Sequence, residues 1–176
     1  MNVIILAPNI NSSYATFTVN EKDEIEYGLA ALKDVGRKFV EEICVERKNG
    51  KFSSLMDFAS RIDLRKGGIR ALQSMAKAGA FDEICSRDEA VCSIKSYLEA
   101  SEQKFRSKES AVMEMFADEQ DIKVSGYELQ TFSESEKLKM ELQSFGFYYS
   151  KHPISLVRKT LSSKIQPINK LMTSSN

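Results

Sequence analysis

The sequence predicts a mainly α fold with a small β-hairpin near its N-terminus. Apolar residues recur at helical spacing in most segments between residues 28 and 105, which indicates amphipathic helices. Glycine and serine separate those segments, at places typical of helix ends. Short β-branched and aromatic runs next to turn residues occur before residue 28. We therefore expect a helical core, then an irregular tether and a small terminal unit.

The β elements come first along the chain. Residues 3–6 form a short apolar run that reads as a strand and ends at the breaker cluster 7–9. Residues 17–19 and 25–27 flank the polar loop 20–24, which predicts a hairpin.

The helices follow, and each has a start or stop signal. A short helix over 28–33 is interrupted at 34–36 and resumes over 37–47. Ser53 or Ser54 is suited to cap the next helix, and Gly79 to close the one after it. Phe81 should dock at that corner. The last two predicted helices cover 87–105, the longest, and 134–145, with Leu138, Leu142 and Phe145 in register.

The composition and the hydrophobic pattern of the sequence suggest four regions. An extended segment and hairpin cover 1–27, and the helical domain covers 28–106. Residues 107–133 lose periodicity and become acidic, which predicts a linker. Residues 134–176 hold the terminal helix and a basic end.

Composition excludes several classes of protein. Lys plus Arg and Asp plus Glu both number 25, so only a local patch can argue for nucleic-acid binding. One histidine and three scattered cysteines make a zinc site improbable and suit a reducing cytoplasm. No secretory signal or membrane-spanning run is visible. Because the chain opens with a strand under way, we expect Met1 to be a start added to a fragment.

The most informative segment is the pair of short helices joined at residues 34–36, a helix-hairpin-helix pattern. Backbone N–H groups at the start of the second helix, with the helix dipole, suit a phosphate oxygen, and glycine permits close approach. The predicted DNA-binding residues are Lys33, Val35, Gly36, Arg37 and Lys38. A plain αα-hairpin with solvated charges is the alternative. Asp34 stands where the usual Gly-hydrophobic-Gly turn has its first glycine, so it either repels a phosphate or caps the second helix.

Five segments, in order, resemble the alpha subunit of bacterial DNA polymerase III. They are PNINSS (8–13), the hairpin leading into Tyr27-Gly28-Leu29, FSSLMDF (52–58), AGAFD (78–82) and the stretch from Glu141 to FYYSKHP (147–153). Their order and spacing make accident improbable.

The resemblance implies a place in a larger enzyme. The matching region covers the end of the fingers, the helix-hairpin-helix and the clamp-binding region, and leads toward an OB-type fold. The whole enzyme would extend primers with two Mg²⁺ ions held by aspartates outside this segment. We expect no cofactor and no catalytic residue here, because Asp23, Asp34, Asp57, Asp63 and Asp82 are explained by turns and caps. Implied partners are duplex DNA, the sliding clamp and other holoenzyme subunits in the bacterial cytoplasm, without a membrane.

An apolar island in the acidic linker lies where this family carries its clamp-binding peptide. It consists of Val112, Met113, Glu114, Met115 and Phe116. Met115 and Phe116 are suited to fill a hydrophobic groove. Val112 replaces the family's usual Gln, which removes a polar anchor. The alternative is that Met115 and Phe116 dock on helices of this same chain.

Two other functions fit part of the sequence. One is a stand-alone helix-hairpin-helix module of a repair nuclease or glycosylase, which would need a catalytic carboxylate or lysine in a cleft. The other is a helical protein-interaction module, which the balanced charge allows. Salt-dependent binding to primed duplex would separate a DNA role from a protein-docking role.

Overall fold

A computed structural model describes residues 3–111 and 124–156 of the chain and confirms the mainly α fold. The strands are β1 (Ile5–Leu6), β2 (Thr18–Val19) and β3 (Ile25–Glu26). The helices are α1 (Arg37–Glu46), α2 (Leu55–Arg61), α3 (Gly68–Ala78), α4 (Arg87–Ala111) and α5 (Glu134–Phe145). Short 3-10 turns cover Leu29–Ala31, Arg47–Asn49 and Leu64–Lys66.

The three strands form one small sheet in the order β1-β3-β2. β2 and β3 pair antiparallel, which confirms the predicted hairpin. β1 lies parallel to β3 on its other side, with Ile5 opposite Ile25. The sequence predicted the strand character of β1 but not its partner, because periodicity does not say which strands meet.

The predicted helix over 28–33 is wrong, since only a 3-10 turn at Leu29–Ala31 forms. The backbone N–H of Lys33 donates to the carbonyl of Ser144, at 2.9 Å, instead of to its own helix. Asp34 then turns the chain with a φ of 63°. A tertiary hydrogen bond thus replaces the helical ladder at this point.

Most helix ends follow the predicted signals. Ser54 caps α2, because its hydroxyl accepts from the backbone N–H of Asp57 at 3.0 Å. Gly79 closes α3 in the left-handed region, with a φ of 85°. Ser133 and Glu136 form a reciprocal capping box at the start of α5.

Two helix predictions need correction. α4 continues to Ala111, beyond the predicted end at 105. Its polar last turns lack an apolar stripe, and the pair of Glu102 with Arg106 at 3.4 Å is the kind of contact that supports such a helix. In α5, Leu138 and Phe145 are buried as predicted, but Leu142 is 37% exposed.

One core joins the helices to the segments that flank the strands. Phe52, Phe58 and Phe81 lie edge to face at its centre and are almost fully buried. α3 packs against both α4 and α5, so the terminal helix shares this core. The division of the chain into four regions remains a prediction. Among the described residues no helix is long and apolar enough to cross a membrane.

Candidate nucleic-acid interface

The turn before α1 has a buried centre and an exposed rim. Val35 is only 7% exposed, and its N–H donates to the carbonyl of Leu32 at 3.3 Å. Asp34 and Gly36, on either side of it, are exposed. Val35 therefore anchors the turn to the core, and its neighbours face outward.

The N-terminus of α1 carries no side-chain cap. Gly36 occupies the N-cap position in an extended conformation, with a ψ of 135°. The first intrahelical bond runs from Val40 N–H to the Gly36 carbonyl at 3.2 Å. The alternative that Asp34 caps this helix is therefore wrong, because Asp34 precedes the N-cap by two residues. The first-turn N–H groups have no side-chain acceptor in the described part of the chain.

The space in front of this helix end is open. A β-carbon built on Gly36 would meet no atom within 4 Å. The φ of Gly36 is −77°, so glycine is not required here by backbone conformation. Its value at this position is the room that it leaves for an approaching group.

The three predicted basic residues, Lys33, Arg37 and Lys38, are all exposed around this opening. Two acidic residues lie one turn further along α1, and they were not part of the predicted site. Glu41 accepts from Arg37 Nε at 2.9 Å, and Glu42 pairs with Lys66 at 2.9 Å. Both pairs are solvent-exposed, and such pairs contribute about 0–1 kcal/mol. A phosphate could therefore compete for Arg37 at small cost.

Asp34 takes the backbone conformation that glycine usually supplies. Its φ of 63° lies in the left-handed region, which Asp tolerates better than most residues. The turn is thus preserved without the usual glycine, but a carboxylate stands beside the opening. That negative charge weakens attraction for an anion at close range.

The turn is also joined to α5, which the sequence did not predict. Besides the hydrogen bond from Lys33 to Ser144, the Lys33 side chain lies against Gly146, which ends α5. The two segments are more than one hundred residues apart. No local pattern marks a contact over such a separation.

The other four aspartates that the sequence assigned to turns and caps all have structural contacts or turn conformations. Asp23 is in the hairpin loop, with a φ of 59°. Asp57 accepts from the N–H of Ser53, and Asp63 caps a 3-10 turn. Asp82 pairs with Arg87 at 2.6 Å. Across residues 3–111 and 124–156, no group of three or more His, Cys, Asp or Glu side chains is placed to hold a metal ion.

Two further residues have structural explanations. Burial raises the pKa of the Cys85 thiol to about 12, so it is a poor nucleophile. His152 accepts a hydrogen bond at Nδ1 from the N–H of Ile154 at 3.3 Å, which is a structural contact. The predicted clamp-binding residues, 112–116, and the basic end of the chain after residue 156 lie outside the described residues.

Comparisons with known proteins bear on this surface. The family profile described as a helix-hairpin-helix motif matches residues 2–90, half of the chain. DNA polymerase III subunit alpha of Xylella fastidiosa is 33% identical over 171 residues, covering 94% of this chain and 14% of the relative. The subunits of Campylobacter jejuni and Pseudomonas aeruginosa are 35% and 31% identical and cover 88% of this chain. The chain thus spans about a seventh of these relatives.

Proposed function

Because this chain belongs to the helix-hairpin-helix family and corresponds to a segment of DNA polymerase III alpha subunits, we propose that it holds the backbone of duplex DNA for a replicative polymerase. In this role it is a non-catalytic part of the polymerase. The single observation that carries the proposal is the open, uncapped N-terminus of α1 behind Gly36, surrounded by exposed basic side chains.

The proposed contact is a phosphate oxygen accepting from the first N–H groups of α1. The positive end of the helix dipole favours an anion there, and Lys33, Arg37 and Lys38 supply countercharge. Backbone donors and phosphates carry no base sequence, so binding should depend on salt and not on sequence. Such a contact would steady the duplex while chemistry proceeds elsewhere.

The discriminating experiment is a Gly36→Ala substitution. The new methyl group meets nothing within this chain, so the fold should survive with a loss of about 1 kcal/mol or less, because alanine is a poorer N-cap than glycine. The same methyl group would occupy the space of the phosphate. We expect binding to primed duplex, measured by fluorescence anisotropy, to weaken about tenfold or more.

Gly126→Ala is the matched control, because its β-carbon also meets nothing within 4 Å and it lies far along the chain. It should leave DNA affinity unchanged. Equal affinities for Gly36→Ala and Gly126→Ala would contradict phosphate binding at this turn. If the unmodified chain does not bind duplex even at low salt, the protein-interaction alternative would be favoured.

The activity of the whole enzyme is part of the same proposal. The relatives are named as polymerase subunits, which supports primer extension by the parent protein, together with other holoenzyme subunits in the bacterial cytoplasm. On the resemblance to the polymerase, we propose that nucleotidyl transfer and its Mg²⁺ ions belong to other parts of the parent enzyme.

Clamp docking through Val112, Met113, Glu114, Met115 and Phe116 is proposed on the sequence resemblance. The double substitution Met115→Ala with Phe116→Ala removes the two apolar side chains that are suited to fill the groove. We expect it to abolish binding to the cognate sliding clamp in a calorimetric titration. Leu129→Ala removes a side chain that is 64% exposed elsewhere and serves as the control. Unchanged clamp binding in the double variant would exclude this role.

A further inference from the structure

We propose that Gly146, at the end of α5, is a positioning residue that fixes Lys33 for its phosphate contact. The inference rests on the proposed DNA-binding function. It adds to that site an element more than one hundred residues away in sequence.

The backbone of the hairpin is tied to the end of α5. The N–H of Lys33 donates to the Ser144 carbonyl at 2.9 Å. Gly146 follows in the left-handed region, with a φ of 86°, and its N–H closes the helix on the Leu142 carbonyl at 3.0 Å. The last turn of α5 therefore sets where the Lys33 backbone stands.

The side chain of Lys33 depends on Gly146 for its path. A β-carbon at Gly146 would lie 3.3 Å from Lys33 Cε and 3.6 Å from Nζ. The lysine stem thus crosses the bare face of this glycine. Any larger residue would push the end of the lysine away by a few tenths of an ångström or more.

The helix dipole of α5 favours a positive charge near Gly146. The C-terminal end of α5 carries partial negative charge from its last carbonyl groups, which attracts the Lys33 ammonium. α5 therefore orients a charge that an exposed lysine would otherwise spread over many rotamers.

α5 is a firm reference because its C-terminal half is anchored by three contacts. Phe145 is 7% exposed and stacks on Tyr149 at 5.0 Å. Glu141 is 4% exposed and accepts from the backbone N–H of Ser150 at 3.0 Å. Lys77 of α3 reaches Gln143 at 2.9 Å.

The test is a double-mutant cycle read through salt dependence. Each phosphate contact contributes about 0.9 to the slope of log K against log salt. Lys33→Ala should lower the slope by about that amount, and Gly146→Ala should lower it by a smaller amount, because the displaced ammonium keeps part of its contact. The double variant should have the same slope as Lys33→Ala alone, because both changes act on one contact.

Two further variants separate positioning from loss of fold. Gly146→Asn places a β-carbon beside Lys33 but tolerates the left-handed backbone, so it should lower the slope with less loss of stability. Lys77→Ala removes a different contact of α5 and should leave the slope unchanged.

The outcomes distinguish the two proposals. The positioning role is excluded if Lys33→Ala lowers the slope but Gly146→Ala and Gly146→Asn do not. It is also excluded if the double variant has a lower slope than Lys33→Ala alone. DNA binding stands in both cases. If Lys33→Ala itself changes nothing, Lys33 makes no phosphate contact, and this inference fails. The Gly36→Ala experiment then tests independently whether the N-terminus of α1 binds a phosphate.

Discussion

Asp23 and Asp34 are the non-glycine residues with positive φ among those described, at 59° and 63°. Both lie in turns, where Asp is common because it tolerates the left-handed region. Only Asp34 stands beside the uncapped end of α1. The two residues share a backbone conformation but differ in what their charge faces.

This contrast gives a paired prediction. Asp34→Gly should leave stability within about 0.5 kcal/mol, since the relief of the left-handed backbone is offset by the greater freedom of glycine when unfolded. It should raise DNA affinity about two- to fivefold at low salt, because one negative charge near the phosphate is removed. Fluorescence anisotropy on primed duplex measures the change.

Asp23→Gly is the control for that experiment. Its backbone conformation is similar, so its effect on stability should be similar too. Its affinity for DNA should equal that of the unmodified chain. An equal rise in affinity in both variants would mean that general charge, not the position of Asp34, governs binding.

Asp63 gives a prediction on pH. A side-chain hydrogen bond from Arg65 is the main cause that lowers the pKa of this carboxyl below its usual 3.8. A depressed pKa adds stability above the unfolded-state value, and that stability is lost as pH falls through the folded value. Asp63→Asn should therefore be less stable than the parent at pH 7, and the gap should narrow below about pH 4. Urea unfolding at several pH values measures the difference in free energy of unfolding between the two proteins. A difference that does not change with pH would contradict the ionic role of Asp63.

At the scale of elements, the sequence predicted the helices whose ends carry local signals. Ser54 and Gly79 are such signals, and both act as expected. It did not predict the end of α4, whose final turns are polar, or the 3-10 turn at Leu29–Ala31. In that turn a hydrogen bond to Ser144 decides the conformation, and no local propensity encodes it.

The contact between α1 and the start of α3 offers a prediction on packing. Gly67 has an ordinary helical conformation, but a β-carbon there would lie 2.5 Å from the Phe39 ring. Gly67→Ala should lower the free energy of unfolding by about 1–3 kcal/mol through overpacking. Gly126→Ala, with open space around its β-carbon, should change it by about 0.5 kcal/mol or less. Equal free energies of urea unfolding for Gly67→Ala and Gly126→Ala would show that the Phe39 ring moves aside at no cost.

For the whole molecule, the central finding is that α5 shares the core of the preceding helices. Phe145 packs edge to face on Tyr27, which directly follows β3, so α5 is joined to the N-terminal part of the chain. The sequence predicted Phe145 as an apolar residue of the terminal helix but did not predict its packing on Tyr27. A pairing between residues so far apart has no signature in hydrophobic spacing.

This shared core predicts one cooperative unfolding transition. Far-ultraviolet circular dichroism follows the helices, and near-ultraviolet signals follow the tyrosines, including Tyr27 and Tyr149 at the junction. The two urea curves should coincide. An early loss of the tyrosine signal, before the helices unfold, would indicate that α5 and the sheet separate from the rest.

The sequence predicted those parts of the candidate site that depend on local sequence, but not those that depend on tertiary contacts. Gly36 and its basic neighbours were found because a turn motif is local in sequence. The pairing of Glu41 with Arg37 could also have been predicted, because the two residues are four apart on the same helix face. The contribution of Gly146 needed the fold, since only tertiary structure brings α5 to the turn.

The central claim is that the turn before α1 holds a DNA backbone without reading its sequence. The most direct measurement is a salt titration of binding between the unmodified chain and two primed duplexes of unrelated sequence. We predict equal affinities for both duplexes and a linear fall of log K with log salt, with a slope of magnitude about 2–4 for a few phosphate contacts. Absence of binding at low salt, or affinity that depends on sequence but not on salt, would contradict the claim.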